Sequence, residues 1–339
     1  MTDTLFRPAR VLVTGAAGFI GFHLATRLLA EGLQVLGVDN LNAYYDPQLK
    51  HHRLARLQAD PAFVFERLDL ADRDGVAALF ARERFDAVVH LGAQAGVRYS
   101  VDHPMAYLDS NLAGTMTVLE GCRHQGTAHL VYASSSSIYG AAHTLPLSES
   151  QMTDQPVSLY AATKKANELM VHSYSHLYGI PATGLRFFTV YGPWGRPDMA
   201  IFKFVRAILA GEPIDIYNHG VMRRDFTYID DVVEAIWRVL QRPPTREDGR
   251  APARVLNVGN SHPVTLMRFV ESIERALGRP ALRNMLPMQA GDVPETWADV
   301  SRLTALTGFV PQTDLDVGVQ RFVDWYRDHH QTLRAVPAA

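Results

Sequence analysis

The chain has 339 residues, enough for a large core and for two lobes with a binding cleft between them. Its formal net charge is −2 and neither Lys nor Arg forms a run, which excludes an electrostatic nucleic-acid surface and leaves small neutral or anionic metabolites as partners. A single cysteine, Cys122, excludes an intramolecular disulfide, and no His/Cys grouping has zinc-ligand spacing, so no metal site is expected.

The first residues, Met1 to Pro8, lack the apolar core and cleavage site of a signal peptide, and no apolar run reaches about 18 residues. The expectation is a soluble, cytoplasmic protein with no membrane partner. Val11-Leu12-Val13 then reads as a strand, Thr14 to Gly21 as a glycine turn, and the stretch to about Glu31 as an amphipathic helix. A second strand, Gln34 to Val38, ends on Asp39. Apolar runs at 63–65, 87–91 and 129–133 alternate with helical patterns at 75–83, 104–124 and 159–178. Alternation of near-continuous apolar strands with helices predicts a parallel sheet covered on both faces, with the doubly wound dinucleotide-binding fold as the leading case. The fold class is therefore α/β: a Rossmann-type parallel sheet with a smaller, mixed α/β C-terminal lobe. Residues 1–185 are expected to form the dinucleotide-binding domain, with the chain returning to it around 224–258, and residues 186–339 mainly the substrate lobe. The polar, proline-rich stretch 241–254 reads as a surface loop, and the tail after Arg334 is expected to fray.

Gly15-Ala-Ala-Gly18-Phe-Ile-Gly21 follows a predicted strand and opens a helix. Glycines there allow a tight turn and close backbone approach to a pyrophosphate, which the helix N-terminus attracts. Asp39, at the end of the second strand, can accept from both ribose hydroxyls and would repel a 2′-phosphate, so NAD is favoured over NADP. Ser134-Ser135-Ser136-Ser137 follows the strand at 129–133, at the end that faces the ligand crevice of a parallel sheet. Tyr160 and Lys164 stand four residues apart in Tyr-Ala-Ala-Thr-Lys. On a helix they share one face, where an ammonium would stabilise phenolate and make the tyrosine a general base. His90 reads as a packed residue at a strand end.

On these residues the chain resembles the extended short-chain dehydrogenase/reductase family of nucleotide-sugar epimerases and dehydratases. Gly15, Gly18 and Gly21, Asp39, Asp69, His90-Leu-Gly-Ala93, Asn111, Ser135, Tyr160 and Lys164 fall in the family's order over almost the whole chain. Within the family it is most similar to the UDP-glucuronate 4-epimerase branch. The segments that carry this are Asp39-Asn-Leu-Asn-Ala-Tyr-Tyr-Asp46, Ala93-Gln-Ala-Gly-Val-Arg98-Tyr-Ser100, Phe188 to Met199 and Met288 to Pro294.

The resemblance implies catalytic roles for Ser135, Tyr160 and Lys164. It implies a tightly held, recycled NAD contacted by Gly15, Gly18, Phe19, Ile20, Gly21, Asp39, Asn40, Asp69, Leu70, Leu91, Ala93, Asn111, Ser134, Tyr160, Lys164 and Phe187. Asp69 would meet the adenine, and Phe188 would lie near the nicotinamide. A UDP-sugar would be held by Ser135, Ser136, Ser137, Phe188, Thr189, Arg196, Tyr217, Arg224 and Asp292, with Arg224 and Asp292 at the diphosphate and ribose and Tyr217 near uracil. Arg98 could contact cofactor, substrate or a neighbouring helix. The dehydratase branch carries Asp-Glu just after the serine or threonine, and the decarboxylating branch carries Glu at the position of Ser137. Loss of both carboxylates leaves room for an anionic sugar, which fixed negative charges would repel. The implied activity is NAD-dependent 4-epimerisation of UDP-glucuronate to UDP-galacturonate through a transient 4-ketone, with a homodimer and polysaccharide precursor supply implied by the family. Action on another UDP-sugar, by epimerisation or decarboxylation, and a non-catalytic NAD-sensing role remain open at this point.

Overall fold

The computed structural model describes residues 5–142, 144–289 and 292–335, with side chains described as far as His329. Ala290 and Gly291, inside the Met288–Pro294 segment, lie outside the described residues, as do Met1 to Thr4 and the last four residues of the tail.

Seven parallel strands form the main sheet. They are β1 (Arg10–Thr14), β2 (Gln34–Asp39), β3 (Phe63–Arg67), β4 (Ala87–His90), β5 (His129–Ser135), β6 (Ala182–Phe187) and a last strand, Ala253–Val258. Their order is β3-β2-β1-β4-β5-β6, closed by Ala253–Val258 against β6. Side chains alternate across the sheet, as a period of two requires. Val11 and Val13 enter one core and Leu12 the other, and Val131 is parted in the same way from Leu130 and Tyr132. Both faces are therefore apolar, the condition under which strands lose visible alternation. Strand order reverses between β1 and β4, so the carboxyl ends at Thr14, Asp39, His90, Ser135 and Phe187 open on one crevice.

Smaller sheets build the opposite wall. Thr189–Tyr191 pairs in parallel with Phe226–Tyr228, Ile214–Ile216 with Arg283–Met285, and Arg223–Arg224 lies between Val264–Thr265 and Glu295–Thr296. One apolar core runs from Val11 and Leu24 through Trp194, Phe204 and Trp237 to Phe322, beneath both walls.

One sequence expectation is corrected and another gains detail. The helix expected at 104–124 runs without interruption from Pro104 to Gln125, with a π-helical stretch, Leu108–Ala113, inside it. The wider turn carries Asn111 inward, where its side chain bonds the backbone of Gln94 and the hydroxyl of Thr163. The stretch 241–254 is irregular only to residue 252, because Ala253 and Arg254 already pair with β6. Their β-sheet bonds outweigh the polar composition from which a loop was expected.

Candidate active site

A cleft of about 1050 Å³ lies along the carboxyl ends of the strands, between the main sheet and the smaller ones. At its floor is the glycine turn. Gly15 has φ +71°, and a Cβ there would sit 2.8 Å from the Gly92 nitrogen; a Cβ on Gly21 would sit 2.0 Å from the Gly15 carbonyl oxygen. Only glycine fits either place. The helix that follows, α1 (Phe19–Ala30), starts at Gly18 without a side-chain cap and without an acidic residue in its first turn. Its first N–H groups face the cleft unneutralised, which suits a pyrophosphate.

Beyond the turn, Asp39 is buried and accepts from the Leu41 N–H, while Asn40 donates to Asp69 at 2.9 Å. Lys50 had no role in the sequence reading. Its ammonium lies 3.5 Å from Asp39 and donates to Asn42 at 2.9 Å. It comes from a helix, Pro47–Leu57, which Asp46 caps by accepting from the Gln48 N–H.

The reacting end is built by β5 and the helix Leu159–Tyr178. Ser158 caps that helix by accepting from the Ala161 N–H, and the first turn then sets Tyr160 and Lys164 on the cleft side. Ser135 ends β5 and accepts from the Ser137 N–H, so Ser135, Ser136 and Ser137 present a hydroxyl cluster to the same space. Lys164 is 4 % exposed and donates to the Ala133 carbonyl at 3.0 Å. Burial alone lowers its pKa to about 8.

The sequence predicted that Lys164 would pull the Tyr160 phenol downward. In the structure the phenol is pushed up by burial, and the groups that draw it back are the Ser135 hydroxyl and the Arg196 guanidinium. The ammonium donates one bond to Ala133 and is not among the groups that lower the phenol here.

Arg196 reaches this space from the loop Gly192–Met199. Its guanidinium is 3.3 Å from Asp198, whose carboxylate also accepts from the Tyr44 hydroxyl at 3.0 Å. Burial opposes its charge, but Asp198 and the phenols of Tyr44 and Tyr160 outweigh that and raise its pKa. At the far end of the cleft, Arg224 donates to Asp292 at 2.8 Å and to the Val293 carbonyl at 2.7 Å. Arg98 crosses from the main-sheet side, with its guanidinium 5.0 Å from the Tyr217 ring centre and 4.0 Å from Asp292.

Phe19, Ile20, Leu70, Leu91, Ala93, Ser134, Phe187, Phe188 and Thr189 also line the cleft. Asn111 does not. It is fully buried behind the wall and acts by holding Gln94 and the helix that carries Tyr160. His90 is likewise structural: its ring lies between the Thr14 and Thr115 hydroxyls, and burial lowers its pKa to about 3, so it stays neutral. Tyr44, Asp198, Lys203 and Arg206 line the cleft without having been singled out in the sequence. Tyr44 and Asp198 did fall within segments that carry the resemblance, Asp39–Asp46 and Phe188–Met199. Among the described residues no group of three or more His, Cys, Asp or Glu could hold a metal, and no helix is long and apolar enough to cross a membrane.

A doubly wound sheet with a glycine turn, a carboxylate at the end of the second strand and a Ser/Tyr/Lys group at one crevice defines a dinucleotide-dependent enzyme of the epimerase/dehydratase class. The chain belongs to the NAD dependent epimerase/dehydratase family, whose model matches residues 11–259. It is 52 % identical over 334 residues to a probable UDP-glucuronate 4-epimerase of Rhizobium meliloti, covering 95 % of this chain and 98 % of that one. It is 48 % identical over 331 residues to UDP-glucuronate 4-epimerase 1 of Arabidopsis thaliana, covering 94 % and 77 %. The crystal structure of UDP-glucuronic acid 4-epimerase from Bacillus cereus, in complex with UDP-glucuronic acid and NAD, matches with a TM-score of 0.87 at 32 % identity, over 94 % of this chain and 99 % of that one.

Proposed function

We propose that this protein converts UDP-glucuronate to UDP-galacturonate by 4-epimerisation through a transient 4-keto sugar, with NAD held throughout and regenerated in each turnover. The observation that carries the reading is the setting of Tyr160, which lines one cleft with Ser135 and Arg196, the two groups that offset part of the rise burial imposes on its phenol. A proton acceptor and a carboxylate-sized cation thus share one small space.

The residues fit the cofactor. Gly15, Gly18, Phe19, Ile20 and Gly21 would hold the pyrophosphate, Asp39 and Asn40 the ribose, Asp69 and Leu70 the adenine side. Leu91, Ala93, Ser134 and Phe187 would line the rest, with Asn111 supporting the wall. When bound, NAD supplies hydride acceptance and return at C4. Tyr160 accepts the 4-hydroxyl proton through or beside Ser135 and returns it after the sugar has turned its other face. Lys164 holds the catalytic helix against β5. Arg224, Asp292 and Tyr217 bind the nucleotide, so the sugar is tethered but free to rotate. Arg196, Thr189, Ser136 and Ser137 take the carboxylate, and Phe188 packs beside the ring. This division corresponds to a dinucleotide-binding domain of residues 1–185, with the chain returning at 224–258, and a substrate lobe formed mainly by 186–339.

A homodimer is part of the same proposal. Leu169, Leu177 and Tyr178 on one long helix and Met116 on its neighbour are exposed by 59 %, 64 %, 44 % and 36 %, an apolar surface that a second copy could cover. We also infer a cytoplasmic enzyme that supplies precursors for polysaccharide synthesis. The reading is tested by incubating purified protein with UDP-glucuronate, with no added cofactor, and separating 4-epimers from pentose products by chromatography. UDP-galacturonate is the expected product. UDP-xylose or a UDP-4-keto-pentose in its place, or no conversion even with added NAD, would overturn the assignment.

A further inference from the structure

Arg53 is among the largest fully buried side chains of the described residues, at 0 % exposure, and it belongs to neither the cofactor nor the substrate set. It stands on the helix Pro47–Leu57, and its guanidinium joins two loops that the sequence separates widely. One terminal nitrogen donates to the Ala17 carbonyl at 2.8 Å and to the Tyr45 hydroxyl at 2.7 Å. The other donates to the Trp194 carbonyl at 2.5 Å and lies 3.5 Å from that of Gly195. Ala17 lies inside the glycine turn, and Trp194 and Gly195 directly precede Arg196.

The second loop needs such a hold. Trp194 has φ +61°, a left-handed conformation that a bulky residue adopts only when its surroundings impose it. His23 of α1 donates to the neighbouring Pro193 carbonyl at 2.9 Å, and burial keeps that ring neutral, with a pKa of about 4. The Arg56 guanidinium lies 4.8 Å from the Trp194 ring centre. A buried guanidinium bonded to carbonyls and a phenol is an expensive way to fill a core, since a methionine of similar volume would carry no desolvation cost. What the methionine lacks is a rigid fork that can meet acceptors on two loops at once.

We propose that Arg53 is a positioning residue that sets the Arg196 loop against the glycine turn, and so fixes where the substrate carboxylate is held. This rests on the reading of Arg196 as the carboxylate ligand. The two walls of the cleft are then registered to each other through one side chain rather than by their separate folds. Loosening it leaves the proton-transfer group intact and lets the carboxylate wander. In the 4-keto intermediate that freedom allows the C5–C6 bond to align with the carbonyl. The bond then breaks, its electron pair forms the C4–C5 enolate, carbon dioxide leaves, and C5 takes one proton to give the 4-keto-pentose.

The test compares Arg53→Lys and Arg53→Met with the parent in purified form, measuring NAD content after denaturation, affinity for UDP, kcat and KM for UDP-glucuronate, and the pentose fraction of the product. The expected result is retained NAD, unchanged UDP affinity, KM raised by roughly tenfold or more, and a larger pentose fraction, with Lys milder than Met. His23→Gln, which loosens the same loop without removing a buried charge, should shift the same quantities in the same direction. It supplies the answer if the Arg53 variants do not fold. Unchanged KM and product ratio in folded variants, or an equal loss of UDP and UDP-glucuronate binding, would overturn the proposal. The parent enzyme is the control for the underlying reading: if it does not form UDP-galacturonate, that reading fails independently of Arg53.

Discussion

The Lys164 ammonium donates to the Ala133 carbonyl at 3.0 Å, and this bond ties the helix that carries Tyr160 to the end of β5 that carries Ser135. The lysine is held there at a cost. Burial lowers it to about 8 from the ordinary 10.5, so between those pH values the folded protein binds fewer protons than the unfolded chain and stability rises with pH. Below about pH 8 the whole penalty is present.

Replacing Lys164 by Met should therefore separate stability from function. At pH 7 the removed penalty is worth about 3 kcal/mol, less about 1 kcal/mol for the lost bond to Ala133. Denaturant titration should find Lys164→Met more stable than the parent at pH 7, with the advantage shrinking toward pH 10, while turnover is lost. A variant equally destabilised at both pH values would contradict a buried, charged Lys164.

The pH–rate profile tests the correction at Tyr160. Because burial raises the phenol, kcat/KM should increase with pH on its alkaline side, as expected for a base that must lose a proton. The Ser135 hydroxyl lowers the phenol, so Ser135→Ala should move that limb to higher pH as well as reduce the rate. Tyr160→Phe should reduce kcat by roughly a hundredfold or more with NAD content unchanged. A Ser135→Ala profile with the parent's midpoint would remove the hydroxyl from the proton path.

Much of this site was legible in the sequence, because its signals are local. The glycine spacing, Asp39 at a strand end and the Tyr160–Lys164 interval each sit within one turn of one element, where chain geometry dictates direction. Arg53 and Lys50 were not legible. Arg53 meets Trp194 across 141 positions, and nothing near either residue announces the contact. The π-helical turn inside the helix expected at 104–124 was hidden for a related reason: Asn111 turns inward toward Gln94 and Thr163, partners on other elements. The face of Lys164 was read correctly and its bond to Ala133 was not foreseen, because a helix fixes the face a side chain leaves from and leaves open which acceptor the ammonium then finds.

Glu168 and Arg186 form a second bridge behind the site. Arg186 donates to both Glu168 oxygens, at 2.9 and 2.8 Å, Ser134 donates to Glu168 at 2.6 Å, and Arg186 also donates to the Tyr139 hydroxyl at 3.0 Å. The two side chains are 7 % and 4 % exposed, so removing one partner strands a buried charge. Arg186→Met should cost about 3–5 kcal/mol, and Glu168→Leu combined with it should recover a large part. Denaturant titration of the two single variants and the double variant measures the coupling. Additive losses would mean that the pair does not act as a unit.

On the proposed reading Arg196 decides the fate of the 4-keto intermediate, and its substitution is the most direct test of substrate class. The guanidinium is raised in pKa by Asp198 and by the phenols of Tyr44 and Tyr160, so it remains a cation throughout the working pH range. A carboxylate it holds cannot rotate its C5–C6 bond into line with the C4 carbonyl, and orientation alone then separates epimerisation from loss of carbon dioxide. Arg196→Ala should raise KM for UDP-glucuronate by about tenfold or more, in keeping with the loss of a charge-assisted contact. It should also increase the proportion of pentose among the products, and it should leave the affinity for UDP unchanged. UDP-glucose, which has no carboxylate, should lose little binding in the same variant. Product chromatography at equal conversion reads both effects, and an Arg196→Ala enzyme with the parent's KM and product ratio would move the carboxylate elsewhere in the cleft.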